Sequence, residues 1–212
     1  TGCGDNSDEL TPITDDNFQI AVNNCLVTNP VDGLCSDSEY GAMPDWDVSN
    51  VTNMSEAFYG RRFNGDISSW DVSNVTNMRI MFYAASFNQN ISSWDVSSVM
   101  NMQYMFSFGG LSVENYDALL IGWSALTLQQ GVLFSTNNSQ YCTAGDARQS
   151  IIDNYGWTIT DAGLATGCGD NSDDLTPITN DNFQTAINNC LSTNPVDGLC
   201  SDSEYGAMPD WD

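Results

Sequence analysis

The chain repeats its own opening. Residues 1–47 return as residues 166–212, an offset of 165, and differ only at Glu9/Asp174, Asp15/Asn180, Ile20/Thr185, Val22/Ile187 and Val27/Ser192. It therefore reads as one full unit plus the first 47 residues of another, as a window cut from a longer tandem array would. Near-identical copies in tandem build length, valency or filaments, and are hard to reconcile with a self-contained enzyme.

A second period lies inside the first. Trp46, Trp70 and Trp94 are spaced by 24, and each opens one phrase: Trp-Asp-Val-Ser-Asn-Val-Thr-Asn-Met at 46–54 and 70–78, Trp-Asp-Val-Ser-Ser-Val-Met-Asn-Met at 94–102. Phe63-Asn-Gly-Asp-Ile-Ser-Ser and Phe87-Asn-Gln-Asn-Ile-Ser-Ser precede the second and third. A period of 24 falls within the leucine-rich-repeat range of solenoids. Ile67/Ile91, Trp70/Trp94, Val72/Val96, Val75/Val99, Met78/Met102 and Phe82/Phe106 recur once per coil, so stacking would bury each column against itself. Ile-Ser-Ser-Trp-Asp-Val is expected to form a short strand of a parallel sheet, and Val-Thr-Asn-Met-x-x-Met-Phe a turn and a short helix. Asn53, Asn77 and Asn101 share one phase; they read as an internal amide ladder satisfying backbone groups, the rival being an exposed ligand row.

Three coils need covered ends. The expected fold is α/β: a short leucine-rich-repeat-like solenoid of about three 24-residue coils with helical N- and C-terminal caps. The N-terminal cap is a helix over 14–27, with Thr14 as N-cap, acids in its first turn, and Phe18, Val22, Cys25 and Leu26 on one face. After the coils, Ser112 caps a helix over Val113–Trp123. Val132-Leu-Phe reads as a strand, Asp146–Tyr155 as a helix stopped by Gly156, and Trp157-Thr-Ile-Thr as a closing strand. The domain boundaries follow: linker 1–12, N-terminal cap 13–45, coils 46–110, C-terminal cap 111–163, linker 164–177, and the next unit's cap 178–212.

Composition narrows the function. There are 28 acids, four arginines, no Lys and no His, a formal charge of −24. Nucleic acid and anionic membranes, bound through Lys and Arg, would be repelled. No apolar run is long enough to span a membrane. Histidine-based triads are impossible. Paired-carboxylate glycoside hydrolysis has too many chance candidates among the acids, and Asp47, Asp71 and Asp95 recur with the coil, which marks them as structural. No enzyme is expected. Seven cysteines are odd, but one period holds four, Cys3, Cys25, Cys35 and Cys142. An even count per unit points to disulfides and an oxidising, extracellular setting. The expected bonds are Cys25–Cys35, Cys190–Cys200 and Cys142–Cys168, with Cys3 left for another unit. Calcium is the only cofactor left open, with Asp5, Asp8, Asp170 and Asp173 as weak ligands that lack the EF-hand spacing; a solvated acidic linker is the preferred reading. Asn-x-Ser/Thr sequons fall at Asn50, Asn53, Asn74, Asn90 and Asn137. Asn53 suits the ladder better, and Asn90 and Asn137 are the favoured glycan sites.

The repeat phrase, the opening Ile13-Thr-Asp-Asp-Asn-Phe-Gln, the exit Asn115-Tyr-Asp-Ala-Leu-Leu-Ile-Gly-Trp, and the closing Tyr141-Cys-Thr-Ala-Gly-Asp-Ala-Arg and Asn154-Tyr-Gly-Trp-Thr-Ile-Thr-Asp resemble the BspA-type leucine-rich-repeat surface-protein family over most of residues 13–163. The resemblance implies a secreted or surface-displayed protein associated with adhesion and matrix, and carries no catalytic residues. The expected function is a structural unit of an extracellular filament, stalk or matrix, whose partners are neighbouring copies of itself. The alternative is a multivalent cell-surface adhesin for glycan or protein, which an exposed cluster of Tyr59, Tyr83 and Tyr104 would favour. Residues 166–212 carry a cap without coils, so that fragment alone is expected not to fold. A cooperative thermal melt of the isolated fragment would contradict this.

Overall fold

Stacking of residues 24 apart organises the computed structural model, which describes residues 11–168, Thr179 and the helix 183–193. The chain divides into two units, Thr1–Ala165 and Thr166–Asp212.

In the first unit the N–H groups of Met54, Glu56, Phe58 and Gly60 donate to the carbonyls of Asn77, Arg79, Met81 and Tyr83 at 2.8–3.0 Å. One period on, Met78, Ile80, Phe82 and Ala84 donate to Asn101, Gln103, Met105 and Ser107 at 2.8–3.0 Å. Side chains follow the same register. Phe58, Phe82 and Phe106 stack with centroids 5.2 Å apart at each step, and Trp46 lies on Trp70 at 6.2 Å. Burying an indole strands its N–H unless an acceptor is built in. Here Trp70 and Trp94 Nε1 donate to the carbonyls of Met43 and Ile67, each 27 residues earlier, at 2.9 and 3.1 Å. Val48, Val72, Val96, Val51, Val75, Val99, Met54, Met78 and Met102 are all buried, so every apolar column of the sequence is a column of the core.

The backbone carrying these columns differs from the expected strand and short helix. Residues 67–85 form successive turns, with Trp70 N–H on Ile67 O, Val75 on Val72, Met81 on Met78 and Ala85 on Phe82. The pairing of Asn53 with Asn77 and of Asn77 with Asn101 is limited to isolated parallel bridges. The reason lies in the dihedrals. Glu56, Ile80 and Tyr104 occupy one phase of the coil with φ of 62°, 61° and 60°, and Gly60, Ala84 and Phe108 a second with 64°, 53° and 61°. Left-handed residues at the third position of each turn are the type II geometry. They turn alternate peptide planes so that N–H groups leave one side of the coil and carbonyls the other.

The ends are covered by different devices. Helix α1 (Phe18–Thr28) buries Phe18, Ala21, Val22, Cys25 and Leu26. It starts later than expected, with Asn17 rather than Thr14 at the N-cap and no acid in its first turn, because Asp15 is engaged by the first coil. A short 3-10 turn (Met43–Asp45) leads into the coils. At the other end, helix α2 (Val113–Ser124) is capped by Ser112 and buries Tyr116, Leu119, Leu120 and Trp123. Gly122 allows it to lie directly on the third coil, since a Cβ there would run into the Ser92 carbonyl. Strand β1 (Leu133–Ser135) continues the stack, Ser135 O accepting from Phe106 N–H at 3.1 Å, and pairs in parallel with β2 (Thr158–Thr160). Between them lies helix α3 (Gly145–Tyr155), ended by Gly156 at φ 65°.

The second unit is described through helix α4 (Phe183–Thr193), which occupies the same repeat positions as α1. Ala186 is buried, while Phe183 and Leu191, the counterparts of buried Phe18 and Leu26, are 50% and 40% exposed.

Ala84 holds a left-handed conformation that costs a non-glycine residue about 1–2 kcal/mol, and its counterpart one coil earlier is Gly60. Ala84→Gly is expected to raise stability in urea by about 0.5–1 kcal/mol after the added chain entropy is subtracted. Phe82→Ala, which empties the centre of the phenylalanine column, is expected to cost about 3–5 kcal/mol.

Candidate functional site

The first coil presents its carbonyl side to α1, and a groove of about 670 Å³ runs between them, lined by Asp15, Phe18, Gln19 and Asn23 on one wall and Asn53, Ser55, Glu56, Ala57, Tyr59 and Arg61 on the other. Asp15 closes one end. Its Oδ1 accepts from Thr52 N–H at 2.8 Å and Asn53 N–H at 3.0 Å, and Oδ2 from Thr52 Oγ1 at 2.6 Å. One coil on, Thr76 N–H donates to Thr52 O at 2.8 Å, so Asp15 stands where a preceding coil's carbonyl would. Partial burial works to raise its carboxyl, but the hydrogen bonds from Thr52 and Asn53 outweigh that and hold it below the ordinary range. Gln19 Nε2 reaches Ala57 O at 3.3 Å, and Arg61 Nη2 donates to Asn23 Oδ1 at 2.8 Å at the other end.

Beside the groove runs an aromatic row. Tyr59 and Tyr83 stack at 5.4 Å and Tyr83 meets Phe108 at 5.1 Å, with Tyr59 55% and Phe108 70% exposed. Tyr104 is 42% exposed but sits in the phase of Ile80, outside this row; Phe108 takes the third place. Tyr59 and Tyr83 stack face to face, Phe108 meets Tyr83 at a tilt of 51°, and at Tyr59 the row opens onto the groove.

The asparagine row is not internal. Asn53 is exposed and Asn77 and Asn101 half-buried. Their Oδ1 atoms accept from Ser55, Arg79 and Gln103 N–H, each at 3.1 Å, and Asn77 Nδ2 donates to Asn53 Oδ1 at 3.1 Å. They satisfy the backbone two residues on in their own coil, at the surface. The recurring aspartates act likewise: Asp47 and Asp71 Oδ1 accept from Ser49 and Ser73 Oγ at 2.6 Å and from their N–H groups at 3.0 Å. Those serine hydroxyl and amide bonds lower both carboxyls.

Of the expected glycan sites, Asn50, Asn74, Asn90 and Asn137 are all exposed. Asn74 Nδ2, the atom a glycan would take, donates to Ser49 O at 2.9 Å, and Asn90 Oδ1 accepts from Ser92 N–H at 2.9 Å. Asn137 has φ 47° in the loop after β1. Cys25 and Cys35 form a disulfide with Cα atoms 5.3 Å apart, tying α1 to the segment after it. Cys142 and Cys168 are also disulfide-bonded. Cys3, Cys190 and Cys200 lie outside the described side chains. The calcium candidates Asp5, Asp8, Asp170 and Asp173 lie outside the described residues too, and among those described no group of three metal-ligating side chains occurs.

Two polar clusters join residues of the phrases 115–123, 141–148 and 154–161. Asp117, on α2 and 8% exposed, accepts from Cys142, Thr143 and Ala144 N–H at 2.9–3.1 Å and from Thr143 Oγ1 at 3.0 Å, so it holds the N-terminus of α3. Asp161 binds Arg148 Nε at 2.7 Å and the hydroxyl of Tyr116 at 2.8 Å. Burial, then the Asp161 charge, push Tyr116 far up, which keeps it a protonated donor. Both clusters lock the C-terminal cap. Those phrases stand out in the sequence but assign these residues no role, because the partners are brought together only when α2, α3 and β2 pack.

Residues 34–121, the coils and their flanks, match the family described as "Mycoplasma protein of unknown function, DUF285". No curated protein and no solved structure matches the chain. Among the described residues no helix is long and apolar enough to cross a membrane.

Because the folded carboxyl of Asp15 is lowered, its contribution is complete above the ordinary value of about 4 and is lost as pH falls through the folded value. Asp15→Asn is expected to cost about 1 kcal/mol at pH 7, charged hydrogen bonds counting for less at an exposed site. The gap to wild type should narrow as pH falls below about 4 in denaturant titrations and vanish once the folded carboxyl is protonated. A gap that persists in acid would mean that shape, not charge, matters at this position.

Proposed function

We propose that the chain is a structural repeat unit of an extracellular tandem-array protein, a short leucine-rich-repeat-like solenoid with helical caps, whose copies form a filament, stalk or matrix. The observation that carries the reading is the return of residues 1–47 at 166–212, with α4 on the same repeat positions as α1. Alternating caps and coils is what a string of such units requires. The disulfides fit an oxidising compartment, and the dense hydrogen bonding of the caps suits a load-bearing module. The charge of −24 disfavours nonspecific clumping of such strings. No catalysis is assigned. The likeness of the repeat phrase to BspA-type surface proteins agrees with this reading.

The Tyr59–Tyr83–Phe108 row favours a second reading, a multivalent cell-surface adhesin for glycan or protein. Negative-stain electron microscopy of the native material, with and without reductant, separates the two. Continuous fibres with an axial repeat of one unit that shorten or fray on reduction are the expected result. Discrete beads on flexible strings would replace the structural reading with the adhesin.

The Cys25–Cys35 bond closes a short loop, and such bonds contribute about 3 kcal/mol. The double substitution of Cys25 and Cys35 by Ser is expected to lower unfolding free energy in guanidinium by about that amount.

A further inference from the structure

We propose that the groove between α1 and the first coil is a docking site for a basic, arginine- or lysine-bearing segment of a partner protein. The argument starts from the polarity of the coil ladder. Through its 54–60 turns the first coil sends its N–H groups forward and its carbonyls back, as residues 54, 56, 58 and 60 donating to 77, 79, 81 and 83 show. The same-phase carbonyls of Asn53, Ser55, Ala57 and Tyr59 therefore face the groove. Ala57 O receives Gln19 Nε2. Those of Asn53, Ser55 and Tyr59 receive no donor among the described residues.

An ordinary strand edge alternates donors and acceptors, so an added peptide strand pairs with it. With the Thr52 and Asn53 N–H groups taken by Asp15, the stretch 53–59 of this edge offers acceptors only, and an extended peptide laid along it would bring its own carbonyls against them. The matching ligand is one that donates without accepting, which describes guanidinium and ammonium groups. Two further features select a cation. Tyr59, covered on one face by Tyr83, opens onto the groove and offers a ring for cation–π contact. The chain's charge of −24 steers basic partners from a distance. Arg61 stands at the far end of the groove, where it is held by Asn23 Oδ1 at 2.8 Å and leaves the carbonyl row open. Glu56 in the same wall is partnered by Arg79 at 3.5 Å, so the acceptors left for a ligand are mainly backbone carbonyls. The inference stands apart from the array reading, because an isolated unit carries the whole groove.

The test is fluorescence anisotropy of a labelled, end-blocked hexa-arginine peptide titrated with the full chain at physiological salt. Gln19→Arg places a resident guanidinium on the carbonyl row, while Asp153→Asn on the exposed face of α3 changes net charge equally. The proposal expects Gln19→Arg to weaken binding at least about tenfold and Asp153→Asn less than about twofold. Tyr59→Ala, neutral in charge, should weaken it by about two- to fivefold. Matching thermal melts establish that each variant folds, and the tyrosine variant decides the matter if the arginine variant does not. Equal weakening by Gln19→Arg and Asp153→Asn, with no effect of Tyr59→Ala, would reduce the binding to diffuse attraction and overturn the proposal. Binding of neutral mannohexaose, lost in Tyr59→Ala, with no hexa-arginine binding would overturn it in favour of a glycan site.

Discussion

Over the turns at 54–60 and 78–84 each coil donates its N–H groups to the next, with reverse bonds only at the bends such as Thr76 to Thr52 and Ser86 to Arg61, and the two ends of the stack are consequently different chemical objects. One end shows carbonyls and the other shows N–H groups. The N–H end is met by a strand whose carbonyl at Ser135 accepts from Phe106. The opposite end is met by side chains on and before a helix, Gln19 donating to Ala57 O and Asp15 accepting where the first coil bends at Thr52 and Asn53. Neither cap could serve at the other end. Asp15 also blocks the coil's stray N–H groups from pairing with a neighbour, the hazard that open edges carry.

The one-way ladder is costly locally and repaid by burial. Glu56, Ile80, Ala84, Tyr104 and Phe108 all adopt left-handed backbone, at about 1–2 kcal/mol each. Ile80, β-branched, is the least suited of them. Against this, the second coil alone buries Ile67, Trp70, Val72, Val75, Met78, Met81, Phe82 and Phe87, each contributing about 1.5–3 kcal/mol. Burial wins by a wide margin before chain entropy is counted. Turns also let each coil close in few residues, which brings identical side chains into face-to-face columns.

The same geometry shapes the surface available for function. Tyr83 lies stacked behind Tyr59, which is the aromatic that meets the groove. The aspartates of the coils are spent on turns at Asp47, Asp66, Asp71 and Asp95, whose carboxylates hold the serines two residues on. These groups build coils and are poor candidates for ligand chemistry. What remains distinctive at the surface is backbone, the carbonyl row of the first coil, lying in a chain that carries only four basic residues.

Much of this was legible in the residues themselves. The 24-residue spacing of Trp, Val, Met and Phe named the core columns, because a period repeated in sequence must repeat in space when like side chains seek one another. The recurrence of Asp47, Asp71 and Asp95 with the coil marked them as structural, and Ser112 and Gly156 marked helix ends by local backbone bonding. The 165-residue offset by itself established the tandem duplication. Only the tertiary structure decided that the coils run through turns rather than strands, since Ile80 and Tyr104 in left-handed conformations contradict local propensity and are held there by their neighbours. It alone brought Asp15 to the first coil, Asp117 to the start of α3 and Asp161 to Arg148 and Tyr116, pairs separated by up to 45 residues. An isolated aspartate looks the same in sequence whether it meets water or four N–H and O–H donors. Which it meets depends on how the helices and coils pack.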